Sequence, residues 1–241
     1  MDASRRHSMS RHTRAIALAI AVVTGCAIAA PAAALASENI DIVNLNTISL
    51  FVNTKKIAFS AVRFEGNPAD PVRVTATEEA EGRSVTIRDV TTAAGGFVAL
   101  APCEKTEAQT AVCPMQDAEG HAVSLVEVRG AVEGNQAVTI DTPTLLALAQ
   151  TGSGSDTLSI PHATPDRFQP FAGIIDPGPG NDTETGGVGK DEFIGSQGTD
   201  TIFAFNEPAK EDRVQCDARA DTAHVDSLDR VEGECRIIRG P

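Results

Sequence analysis

Three carboxylates recur at an interval of nine residues. Residues 177 to 203 divide into nonapeptides that read Pro177-Gly178-Pro179-Gly180-Asn181-Asp182-Thr183-Glu184-Thr185, then Gly186-Gly187-Val188-Gly189-Lys190-Asp191-Glu192-Phe193-Ile194, then Gly195-Ser196-Gln197-Gly198-Thr199-Asp200-Thr201-Ile202-Phe203. Each carries Gly-x-Asp at its fourth to sixth positions, and an isolated copy, Gly152-Ser153-Gly154-Ser155-Asp156-Thr157-Leu158, precedes them. A carboxylate is a hard oxygen ligand suited to Ca2+, and glycines two and four residues before it permit a tight turn whose carbonyls face inward. The candidate ligands are therefore Asp156, Asp182, Asp191 and Asp200, in turns shaped by Gly178, Gly180, Gly187, Gly189 and Gly198. Two such carboxylates stacked about 5 Å apart repel by roughly 3 kcal/mol at an effective dielectric of about 20. A cation between them reverses the sign.

The elements that must position these groups are short strands. The last three residues of each nonapeptide form a strand whose middle side chain points inward, here Phe193 and Ile202, with Glu184 in place of an apolar residue. Two nonapeptides complete a coil, which predicts Asp182 and Asp200 stacked on one side and Asp191 opposite them, a periodicity typical of solenoids. Ahead of the repeats, residues 40–52, 56–64, 72–77, 85–90 and 123–128 alternate apolar and polar side chains and are rich in β-branched residues, which predicts half-buried strands. Turn clusters separate them at 65–68, 81–82, 94–96 and 118–120. Residues 145–150 read equally as one helical turn or a strand, and no sustained helical stripe is present.

Composition sets the class of partner. The 241 residues carry 20 Lys+Arg against 33 Asp+Glu, a net charge of −13, with no Trp, no Tyr and nine Phe. The core must be aliphatic, and the acidity argues against nucleic-acid binding, which needs cationic side chains on phosphates. Arg5, Arg6, Arg11 and Arg14 precede an apolar run over 15–36 that ends in Ala34-Leu35-Ala36, the pattern of a secretory signal peptide. The mature chain then starts near Ser37, is secreted and has no transmembrane segment; an alternative is lipoprotein anchoring at Cys26 in Val23-Thr24-Gly25-Cys26, and Ser4-Arg5-Arg6 hints at twin-arginine export. Four cysteines remain, Cys103, Cys113, Cys216 and Cys235, an even number for an oxidising compartment. Three pairings are possible, with loop closure favouring Cys103 with Cys113 and Cys216 with Cys235.

Enzyme signatures are missing from the sequence. His121, His162 and His224 lie in separate segments, with no G-x-S-x-G or H-E-x-x-H. Residues 221–232 have the length of an EF-hand loop, but Ala223, Val225 and Asp226 occupy positions that need two ligands and a glycine.

The nonapeptides resemble the G-G-x-G-x-D-x-U-x repeats of RTX (repeats-in-toxin, haemolysin-type) calcium-binding proteins. Ala101-Pro102-Cys103, Val112-Cys113-Pro114, Val126-Glu127-Val128-Arg129-Gly130, Asp212-Arg213-Val214-Gln215-Cys216, Asp221, Asp229-Arg230-Val231 and Cys235 are similar to the flanks of a secreted bacterial group of this type with a cysteine-closed C-terminal module. The resemblance covers residues 57 to 241. It implies an all-β fold, a right-handed parallel β-roll or β-helix preceded by a short-stranded β region, with Ca2+ between stacked turns. The implied organisation is a signal peptide over 1–36, a β-rich region over 37–150 and a calcium-binding roll over 151–241. Departures from the pattern restrict the metal. Gln136 stands where the group has a ligand Asp, Asp217 and Arg219 replace glycines near Asp221, and Gly173 and Ala209 flank Asp191 at 18 residues, leaving Asp191 without a partner.

Two readings of the Gly/Asp segment follow: Ca2+-dependent folding after export, at the roughly 10⁻⁴ to 10⁻³ M affinities of extracellular modules, or a metal-free solenoid whose Asp residues cap turns. The favoured function is a non-enzymatic, secreted, calcium-binding repeat protein with a structural or adhesive role. The alternative is a secreted hydrolase or toxin-like protein whose repeats assist export.

Overall fold

The computed structural model describes residues 39–45, 59–66, 72–79, 84–90, 98–99, 102–117, 119–163, 171–217 and 220–240. Residues 1–36, where the sequence predicts a signal peptide and which include Cys26, the predicted strand residues 46–52 and 56–58, the predicted turn residues 67–68, 81–82, 94–96 and 118, and Arg219 lie outside the described residues.

Nineteen strands and no helix make up the described fold. They are β1 (Asn39–Leu45), β2 (Phe59–Glu65), β3 (Arg73–Glu78), β4 (Ser84–Asp89), β5 (Val98–Ala99), β6 (Glu104–Glu107), β7 (Thr110–Pro114), β8 (Val123–Arg129), β9 (Ala137–Asp141), β10 (Leu146–Gln150), β11 (Thr157–Ser159), β12 (Gly173–Asp176), β13 (Thr183–Thr185), β14 (Asp191–Ile194), β15 (Thr201–Phe203), β16 (Arg213–Gln215), β17 (Thr222–Val225), β18 (Arg230–Glu232) and β19 (Arg236–Arg239). From β8 onward the chain alternates between two sheets. One runs β8-β10-β12-β14-β16-β18 and the other β9-β11-β13-β15-β17-β19, every neighbour parallel.

The first half extends the same sheets with mixed pairing. Strand β2 lies parallel to β8 and β3 parallel to β9, while β1 pairs antiparallel with β2 and β4 antiparallel with β3 and β7. The parallel ladder crosses the boundary at residue 150 unbroken, since β10 pairs with both β8 and β12.

A continuous apolar core fills the space between the sheets. Its members are small, because each three-residue strand sends one side chain inward: Leu158 from β11, Ile202 from β15 and Val214 from β16 are fully buried. Phe64 and Phe193 are the largest apolar side chains among them. This is how a chain without Trp or Tyr closes a core: close backbone stacking replaces bulk.

Residues 145–150 resolve to a strand, β10, hydrogen-bonded on both edges. Ala147 and Ala149 face the core while Leu146 packs with Ala61 and Leu125 in a separate cluster, so the apolar run serves two faces and imitates a helix. Strands β6 and β7 were not foreseen. They form a hairpin closed by the Cys103–Cys113 disulfide, with Cα atoms 4.1 Å apart. The second disulfide, Cys216–Cys235, joins the turns that follow β16 and β18. Disulfides persist in oxidising compartments and are rare in the reducing cytosol, so both pairs support a non-cytoplasmic location. Among the described residues, no helix is long and apolar enough to cross a membrane.

Candidate metal centre

From β8 to β17, each crossing from the first sheet to the second ends in an aspartate or, at Gln136, its stand-in, and parallel register stacks these residues. Strand β13 sits between β11 and β15 with Thr183 opposite Thr157 and Thr201. The preceding residues, Asp156, Asp182 and Asp200, therefore form a column, with Gln136 before them and Asp221 after.

One oxygen of each carboxylate holds the coils together. Asp156 Oδ1 accepts the Gln136 N–H at 2.8 Å, Asp182 Oδ1 the Asp156 N–H at 2.7 Å, Asp200 Oδ1 the Asp182 N–H at 2.9 Å, and Asp221 Oδ1 the Asp200 N–H at 3.0 Å. The other oxygen of Asp156, Asp182 and Asp200 is buried with no hydrogen-bond partner. Desolvation is the main force on these acids, and like charge adds to it at Asp182 and Asp200. Burial pushes Asp182 up to about 7, with Asp200 and Asp156 repelling it; Asp200 rises to about 6, opposed by the Asp182 amide and reinforced by Asp221. Burial raises Asp156 as well.

Asp191 lies in the other sheet, at the opposite turn, and it is not alone there. Its N–H donates to Asp212 Oδ1 at 2.7 Å, and the Asp212 N–H donates to Asp229 Oδ1 at 3.0 Å. The interval of 18 that pointed to Ala209 is corrected to 21, because Glu192 of β14 pairs with Arg213 of β16, 21 residues on, where Ile174 of β12 pairs with Glu192, 18 residues on. Burial carries Asp191 to about 6 and Asp212 to about 8. The signal for Asp212 and Asp229 was present in the Asp-x-Val triplets Asp212-Arg213-Val214 and Asp229-Arg230-Val231, which repeat the Asp-x-Phe of Asp191-Glu192-Phe193.

The glycines serve chiefly to let one turn touch the next. A Cβ on Gly180 would overlap the Gly154 carbonyl oxygen, and one on Gly198 the Gly180 carbonyl oxygen; on Gly187 and Gly189 it would clash, less severely, with the Pro161 and Ala163 carbonyl oxygens. Positive φ is needed at Gly178, at 76°, and at Gly198, at 147°.

Amide side chains close two turns. Gln136 Oε1 accepts the Ala131 N–H at 2.6 Å while its Nε2 donates to the Ala131 carbonyl at 3.0 Å. Asn206 Nδ2 donates to the Gly187 and Gly189 carbonyls at 2.7 and 2.9 Å. Sequence reasoning missed Asn206, which belongs to the loop between β15 and β16. After the turn at 177–182 the chain carries two buried carboxylates, Asp182 and Glu184, and the second is fully buried with both oxygens lacking a partner.

That donor set is hard, anionic and desolvated, which fits Ca2+: an ion bound there satisfies the orphaned oxygens and cancels the mutual repulsion. Asp182 and Asp200 would supply carboxylate ligands, with Asp156 next in the column.

A second acidic group lies elsewhere. Asp117, Glu119 and His121 bring one ligand atom each within 4.8 Å of one another in the turn between β7 and β8. Asp117 Oδ1 accepts the Glu119 and His121 N–H groups at 3.0 and 2.7 Å, and Oδ2 meets His121 Nδ1 at 2.9 Å. This is an Asx-type turn with an exposed histidine. His162 pairs with Asp141 at 2.9 Å and His224 stacks on Phe203 at 4.7 Å, so the three histidines among the described residues occupy three separate places. The chain matches no family model, no curated protein and no solved structure.

Proposed function

We propose that the protein is an exported, non-enzymatic calcium-binding β-roll of the RTX type, whose Ca2+ lies between stacked turns at Asp182 and Asp200. The observation that carries this reading is the carboxylate column itself: Asp156, Asp182 and Asp200 each use one oxygen to receive the preceding coil's amide and leave the other buried and unsatisfied. Buried anions of this kind strongly oppose folding unless they are neutralised.

The physical consequence is conditional folding. Where Ca2+ is scarce, the acidic, Gly-rich segment cannot offset its ordering entropy and stays open. Where Ca2+ is abundant, outside the cell, binding free energy becomes folding free energy. The disulfide between Cys216 and Cys235 then locks the last coils on the same side as the column. A structural or adhesive role at the cell surface suits a fold that presents stacked strands and turns.

Calorimetric titration of the purified protein with Ca2+, followed by circular dichroism, tests the reading. Saturable binding with a gain of β-structure, abolished in the double variant Asp182→Ala, Asp200→Ala, is the expected outcome. Indifference of heat, spectrum and melting temperature to millimolar Ca2+ would refute it.

A further inference from the structure

Glu184 stands at a position that the strand pattern reserves for an apolar side chain. It is the middle residue of β13, fully buried, in register with Leu158 on one side and Ile202 on the other. Neither neighbour offers a hydrogen bond, and both carboxylate oxygens lack a partner. A carboxylate in such a place is costly unless something neutralises it.

The direction in which it leans is set by the fold. Side chains two apart on a strand share a face, so Glu184 and Asp182 both point inward, and Asp200 is stacked on Asp182 through the Asp182 N–H. Burial alternates along this stretch, with Asn181 exposed, Asp182 buried, Thr183 half-buried, Glu184 buried and Thr185 half-buried, so the two carboxylates are successive side chains on the inner face. Asp176 and Asp182 bracket the turn, and Asp200 continues its column. Glu184 is therefore the inner-face neighbour of Asp182, the residue that ends the turn at 177–182.

We propose that Glu184 is a third carboxylate ligand of the divalent cation held at Asp182 and Asp200, reaching the ion from the interior of the fold. The proposal rests on the calcium reading above and deepens it. Four buried oxygens without hydrogen-bond partners then converge on one ion: Asp182 Oδ2, Asp200 Oδ2 and the two of Glu184. A hard cation that takes six to eight oxygens accommodates them all. The exception to the inward apolar pattern becomes the residue that singles out this turn from the others in the column.

The test compares the protein with Glu184→Leu, which completes the apolar column between Leu158 and Ile202, and with Glu184→Gln, which keeps shape and removes charge. Ca2+ calorimetry at neutral pH is expected to show the affinity of the tightest site falling about tenfold or more in both variants. Eu3+ luminescence lifetimes in H2O and D2O, which count waters on the bound ion, are expected to show at least one extra water in each. Unchanged affinity and an unchanged water count in both variants would overturn the role of Glu184 while leaving the calcium site intact. Absence of Ca2+ binding to the unsubstituted protein would instead remove the calcium reading, and this proposal with it.

Discussion

Replacing Asp200 by Asn should stabilise the protein without metal and weaken its response to metal, two effects of opposite sign from one atom. The amide keeps an Oδ1 acceptor for the Asp182 N–H, which lies at 2.9 Å, and it keeps the side chain's shape. What it removes is charge at a fully buried position stacked between Asp182 and Asp221. Adjacent strands are about 4.8 Å apart, and two carboxylates at that distance repel by about 3 kcal/mol at an effective dielectric of about 20. At pH 8, above the values of about 7 and 6 to which burial raises Asp182 and Asp200, that repulsion is present in the native protein. Relieving it in chelator should raise the melting temperature by roughly 6–12 °C for a domain of this size. In about 5 mM Ca2+, saturating for an extracellular-type site, the variant has lost a ligand and should gain much less than the unsubstituted protein. Scanning calorimetry in chelator and in Ca2+ reads both. A lower melting temperature in chelator, or a Ca2+ increment equal to that of the unsubstituted protein, would refute the electrostatic argument.

Three further outcomes are expected. Because burial raises Asp182, Asp191, Asp200 and Asp212 from 3.8 to about 7, 6, 6 and 8, the native state binds more protons than the unfolded chain between those limits. Stability of the metal-free protein should thus be greatest near pH 4 and fall as pH rises toward 8; melting curves in chelator that rise with pH would contradict this. Gly180→Ala places a methyl group on the Gly154 carbonyl and should cost about 3 kcal/mol in urea denaturation, whereas Gly120→Ala, with open space around it, should show only the smaller cost of its positive φ. Replacing Cys216 and Cys235 by Ser should cost about 3 kcal/mol and speed amide exchange in β18 and β19, a change that β8 and β9 should not share.

The sequence announces the second half of this fold more clearly than the first. The phase of Asp182 and Asp200 is enough to stack them, because a strict 18-residue coil leaves register no freedom; the Asp182 N–H bond to Asp200 is the direct result. Asp212 escaped because an insertion within the loop 204–212 shifts the interval, and a fixed period cannot see past an insertion. Gly180 and Gly198 were read as turn formers, yet their principal constraint is the neighbouring coil's carbonyl, which no single repeat contains. Strand β10 was ambiguous because Leu146 and Ala147 face different clusters, and a run apolar on both faces has no period. Asn206 was invisible, since a loop asparagine acquires meaning only when folding brings it against the Gly187 and Gly189 carbonyls. Glu184 was noticed as an exception, and its burial is what makes the exception chemical.

The most direct measurement is a crystal structure grown in Ca2+ at neutral pH, with anomalous scattering recorded to locate the ion. Density for a cation 2.3–2.6 Å from Asp182 Oδ2 and Asp200 Oδ2, the span expected of Ca2+–oxygen bonds, is the predicted result. The same turns with those two oxygens bound only to water, in crystals soaked at millimolar Ca2+, would contradict the account.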